Sequence, residues 1–98
     1  MPKSVELHEE ALAEADAAAE WYAEREPAVA NAFALELERA FDRIGEAPER
    51  WPIEEGRTRR VLLRRFPFKI IYLVEPDRCV VVAVAHWRRR PGYWKPRS

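Results

Sequence analysis

The sequence has one cysteine, Cys79, in 98 residues. A lone cysteine can form no internal disulfide and no cysteine metal site. It lies in the apolar run 79–85, where a small buried core residue is the expected role. There is no glycine-rich phosphate loop, no HExxH and no other paired ligand motif, so neither a metal nor a cofactor is expected. No apolar run approaches the roughly 20 residues of a membrane span, and nothing resembles a signal peptide. A cytoplasmic protein without a membrane partner is the expectation. Net charge is also missing, since 17 acids face 17 bases.

That zero hides a division. Residues 1–50 hold 13 acids and 5 bases, a net charge of −8, and residues 51–98 hold 4 acids and 12 bases, a net charge of +8. Such asymmetry bears on partners rather than on fold. The basic half suits a nucleic acid or an acidic protein. The alternative is that acidic helices complement a basic sheet within the chain.

A chain of this length supports one core and one domain, 1–98. Residues 4–7 alternate weakly and suit a short first strand. From His8 the pattern becomes helical, with Leu12, Ala15, Ala19 and Tyr22 on one face. Pro27 fits the first position of a second helix. Phe33, Leu37, Ala40, Phe41 and Ile44 form its stripe, and Gly45 is the expected stop. The short junction before Pro27 implies an αα-hairpin. Residues 46–57 read as a loop anchored by Trp51. The period then becomes two, with strands expected over 58–65, 68–75 and 78–86. The expected fold class is α+β, in the order β-α-α-β-β-β, with the two-helix hairpin on one face of a mostly antiparallel sheet.

The chemistry-bearing residues concentrate late in the chain. Alternation along 58–65 sends Arg60 and Arg64 to one face and Arg59 and Arg65 to the other. His86 ends the last strand, and histidine is the residue type suited to general acid–base work; the bland alternative is a strand-end histidine bonded to backbone. The tail His86-Trp-Arg-Arg-Arg-Pro-Gly-Tyr-Trp-Lys95 interleaves cations with aromatics. Arg64, Arg65, Trp87, Arg88, Arg89, Arg90 and Trp94 are therefore candidates for contact with a target or a partner protein. The alternative is that Trp87 and Trp94 cap the core while the arginines solvate them.

Several segments carry a resemblance when taken together. They are Glu46-Ala-Pro-Glu-Arg-Trp-Pro52, Arg64-Arg-Phe-Pro-Phe-Lys-Ile-Ile-Tyr72, Val80-Val-Val-Ala-Val-Ala-His86 and Arg88-Arg-Arg-Pro-Gly-Tyr-Trp94. With the order of elements, they make the chain similar to the RelE/ParE superfamily of bacterial toxins over nearly its whole length. The resemblance implies the toxin of a type II toxin–antitoxin pair, neutralised by a cognate, co-encoded antitoxin. Two activities occur in that superfamily. RelE-like members are metal-free, ribosome-dependent mRNA endonucleases, and ParE-like members inhibit DNA gyrase. The nuclease branch would make Arg60, Lys69, His86 and Tyr93 catalytic, but Leu62 stands where a second catalytic lysine is expected. The long hairpin and the Arg-Pro-Gly-Tyr-Trp ending are closer to the ParE-like branch. Gyrase is the expected target, with the ribosome and mRNA as the alternative. A non-toxic RNA- or protein-binding module is the third reading.

Overall fold

Pro27 decides where the first helix ends. A proline disfavours the helical conformation for the residue before it, and Glu26 is extended, with φ −159° and ψ 114°. In the computed structural model, which describes residues 2–98, α1 (Glu9–Arg25) stops there and α2 (Pro27–Glu46) begins. The start of α1 is capped by His8, whose Nδ1 accepts the Glu10 N–H at 3.1 Å. Glu9 and Glu10 occupy its first turn, where the helix dipole favours acids.

The hairpin covers a five-stranded sheet ordered β1-β5-β4-β3-β2. Its strands are β1 (Ser4–Leu7), β2 (Ile53–Glu55), β3 (Thr58–Leu62), β4 (Phe68–Val74) and β5 (Arg78–His86). Neighbours run antiparallel except β1, which is parallel to β5. A single 3-10 turn, Lys95–Arg97, closes the chain.

Several details depart from expectation. The loop expected over 46–57 contains β2, which turns into β3 through Gly56 at φ 58°. The Thr58 hydroxyl accepts the Glu55 N–H and donates to the Glu55 carbonyl, which closes that turn. The strand expected over 58–65 ends at Leu62, so alternation separates Arg59 from Arg60 but does not reach Arg64 and Arg65. In α1 the buried face is Ala11, Ala15 and Ala18, while Leu12 is 50% exposed. Alanine is so frequent in α1 that periodicity alone leaves the phase of the helix undetermined, and close approach to the sheet selects the narrower face.

The sheet is packed on both sides. On the helix side Phe33, Leu37, Ala40 and Ile44 of α2 meet Val61, Ile70, Tyr72, Val81 and Val84. Tyr22, Phe33, Phe66 and Phe68 form a chain of tilted and edge-on rings with centroids 5.1–5.4 Å apart. Cys79 is buried there, and burial pushes its thiol pKa up. On the opposite side Ile71, Leu73, Val82, Ala83, Ala85 and Trp94 form a second, smaller core. Val82 and Ala83 both belong to it because β5 bulges at that point, with Ile71 opposite Ala83 and Tyr72 opposite Val81.

Gly45 lies within α2 and does not stop it. Its role is closeness: the Lys3 N–H donates to its carbonyl at 3.0 Å, and a Cβ built on it would lie 2.7 Å from the Lys3 carbonyl oxygen. Gly45→Ala therefore forces β1 away from α2, and a loss of about 1–3 kcal/mol is expected, read from urea unfolding midpoints. A second expectation concerns Tyr72, whose hydroxyl donates to the Pro48 carbonyl. Burial, against the opposing effect of Arg59, pushes its pKa from 10.0 up to about 12. The folded state thus holds the proton more tightly than the unfolded chain. The corresponding stability is complete below pH 10 and is lost as pH rises towards about 12. Tyr72→Phe should cost about 1 kcal/mol at neutral pH and flatten the decline in unfolding midpoint above pH 10.

Candidate interaction surface

The cationic tail leaves β5 at His86 and folds back across the second face of the sheet. The Trp87 N–H donates to the Pro67 carbonyl at 2.9 Å, and the His86 Nδ1 accepts the Arg88 N–H at 3.0 Å. Gly92, at φ 77°, reverses the chain in a conformation that side chains rarely adopt. Trp94 then inserts into the second core and is 2% exposed. Lys95 pairs with Glu55 at 2.7 Å.

The end of the tail is fastened by a carboxylate from the other side of the molecule. β1 pairs with β5 only as far as Val81, so the edge of β5 beyond it lacks a neighbouring strand. Glu14 of α1 fills that place. Its Oε1 accepts the Val84 N–H at 3.0 Å and the Arg97 Nη1 at 3.0 Å, and its Oε2 accepts the Tyr93 hydroxyl at 2.7 Å. Arg97 donates in turn to the Val82 carbonyl at 3.0 Å and pairs with Glu10 at 2.9 Å. The Glu14 and Arg97 side chains are only 16% and 12% exposed. Burial and the bond to Glu14 push the Tyr93 hydroxyl well above the usual tyrosine range.

The four residues that a nuclease would use do not converge. Arg60 and Lys69 meet, but around an acid: Glu54 lies 3.5 Å from Arg60 Nη1 and 2.6 Å from Lys69 Nζ. The Lys69 ammonium also stands 5.5 Å from the centre of the Trp94 ring, on the tail side of the sheet. His86 lies opposite Phe68 in the register and packs edge-on against it at 5.1 Å, on the helix side. Tyr93 is held at the sheet edge by Glu14.

The residues expected to make contacts separate into two groups. Trp94 is core and presents no face to solvent, as the alternative reading of the tail had it. Trp87 is 58% exposed, and Arg88, Arg89 and Arg90 are exposed beside it. Arg65 pairs with Glu36 at 3.7 Å, and the Arg64 N–H donates to the same carboxylate. The side chains of Arg64, Arg88 and Arg90 make no ion pair among the described residues. Periodicity did not single out Glu14, Glu54, Arg97 or Trp21. Only the spacing of Glu14 from Ala11, Ala15 and Ala18 could have marked it, as an acid on the inner face of α1.

Residues 5–91 match the family described as the ParE toxin of the type II toxin–antitoxin system ParDE. The chain belongs to this family. No curated protein matches its sequence. Among solved structures it is similar to one described as the chromosomal ParDE toxin–antitoxin system from P. aeruginosa. The TM-score is 0.75 at 18% identity, over 86% of this chain and 95% of that one. At that identity the likeness is one of fold. The family match ends at residue 91, before the segment that carries Tyr93, Trp94 and Arg97.

Glu14→Ala would leave the Val84 N–H, the Tyr93 hydroxyl and the Arg97 guanidinium without their acceptor. A loss of about 3 kcal/mol is expected for a largely desolvated pair broken on one side. Hydrogen exchange should locate the effect, with protection lost in residues 93–98 and at Val84 but kept in α2.

Proposed function

We propose that the chain is the toxin of a toxin–antitoxin pair, that a co-encoded antitoxin neutralises it by binding, and that its target is DNA gyrase. Family membership supports the toxin role, and the ParDE likeness in fold supports the antitoxin. Gyrase is the target that the resemblance to the ParE-like branch implies. The observation that favours it over mRNA cleavage is the scatter of the cations. A metal-free ribonuclease must gather several cations and a proton acceptor around one phosphate. Here Arg60 and Lys69 are closed on Glu54, and His86 points away from them on the other side of the sheet. The chain then acts by occupying a protein surface, and its free arginines and exposed Trp87 are suited to that.

Brief induction in a bacterial host, followed by labelled thymidine and labelled amino-acid incorporation, tests this. DNA synthesis should stop first, and the purified protein should inhibit gyrase supercoiling. Arg60→Ala with Lys69→Ala should leave toxicity within a few-fold of the parent. Early arrest of protein synthesis, abolished by the same pair, would assign the activity to mRNA cleavage instead.

A further inference from the structure

Between α1 and the loop that precedes β4, a groove of about 490 Å³ opens to solvent. That volume lies within the range of sites that hold small ligands or single large side chains. Its walls are the Ala17 and Ala18 methyls, the Trp21 and Tyr22 rings, Pro67 and Phe68. Trp21 is 52% exposed and stands edge-on to Tyr22 at 5.2 Å. The two alanines make the groove deep, because longer side chains at those positions would fill it.

Two arginines stand at its mouth. Arg89 belongs to the lining beside His86, and Arg25 stacks on the Trp21 ring with its guanidinium 3.5 Å from the ring centre. Arg88 and Arg90 follow Arg89 without ion-pair partners among the described residues. The one acid in the lining, Glu14, already accepts from Val84, Tyr93 and Arg97. Arg89 is 4.0 Å from Glu14, with its side chain 54% exposed. It can therefore turn to a new carboxylate without leaving Glu14 unpaired.

We infer that this groove takes one aromatic side chain from an acidic segment of a partner protein, with a carboxylate of that segment held by Arg89. The antitoxin as that partner rests on the function proposed above, whereas the class of ligand rests on the groove. The ring would stack against Trp21 and Phe68, and the carboxylate would meet a guanidinium whose fork geometry suits it. The free arginines beyond it would favour further acids in the same segment.

The test uses the full chain and two small probes of similar size and opposite charge, 3-phenylpropionate and phenethylamine, titrated by NMR. Phenylpropionate should shift the Trp21 indole N–H, the Ala17 and Ala18 methyls and the Phe68 ring. Phenethylamine should bind at least tenfold more weakly. Arg89→Ala should weaken phenylpropionate about fivefold, as loss of one charge-assisted contact would. Ala17→Trp, which fills the groove from an exposed helix position, should abolish binding without unfolding. Equal binding of the two probes, shifts elsewhere, or no binding at all would overturn the inference. Prior addition of the protein encoded beside the toxin should suppress the phenylpropionate shifts. If that protein binds and the shifts persist, the groove is not its docking site. If it does not bind at all, the antitoxin reading fails while the probe result stands independently.

Discussion

A carboxylate placed on the inner face of a helix must find partners, because burying it without them would cost several kcal/mol. Glu14 is that carboxylate, and the arrangement of the last third of the chain follows from it. It stands where a sixth strand would stand, and takes over one half of that strand's work by accepting the Val84 N–H. Arg97 supplies the other half by donating to the Val82 carbonyl. An ion pair thus replaces the backbone ladder along an edge that β1 is too short to cover. An uncovered edge invites pairing with other chains, so the same contact that orders the tail also closes a route to association. The bulge at Val82 is part of this device, since it places a carbonyl within reach of Arg97 just beyond the last residue paired with β1.

With Arg97 tied to Glu14, the tail's path is nearly determined. It crosses the second face of the sheet, where Trp94 stands over Lys69 of β4 and Lys95 reaches Glu55 of β2, before Arg97 returns to the β5 edge. The apolar residues on that face, Ile71, Leu73, Val82, Ala83 and Ala85, then need a cover, and Trp94 provides it. The segment from residue 87 to residue 98 is therefore not a frayed end. Its first part turns outward with Trp87 and three arginines exposed, and its second part is structural. Gly92 sits between the two parts because the reversal needs a positive φ.

How much of this could be read from the sequence depends on how far each signal is local. Pro27, the stripe of α2 and the apolar run of β5 are local signals, and each element formed close to where it was expected. β2 escaped because a three-residue strand beside two prolines and a glycine carries no periodicity of its own. It exists only because β3 offers it an edge. The phase of α1 escaped because alanines surround the helix and weaken the pattern. Glu14 escaped for a deeper reason. A charged residue read from sequence is assigned to solvent, and its partners Val84, Tyr93 and Arg97 lie 70 or more positions away. Of the residues with a possible chemical role, sequence placed Arg60 and Lys69 together on adjacent strands. It could not foresee that Glu54, on the strand it missed, would close on both.

The division of charge between the halves of the chain acquires a physical meaning here. Part of it is internal complementation: Arg65 meets Glu36, and Arg97 meets Glu10 and Glu14, in each case a base from the second half with an acid from the helices. Lys69 and Lys95 are neutralised instead by Glu54 and Glu55, which belong to the same basic half. Several cations remain without an ion pair among the described residues, Arg59 among them, which donates instead to the Glu49 and Trp51 carbonyls. Arg64, Arg88 and Arg90 are left unpaired among the described residues, at the end of the sheet where the loop before β4 meets the start of the tail. A chain of zero net charge can in this way present exposed arginines beside an exposed ring, as Arg88, Arg89 and Arg90 do next to Trp87. Such a face gains both electrostatic steering and buried aromatic area from an acidic, amphipathic partner, and gains less from either a neutral surface or a purely charged one.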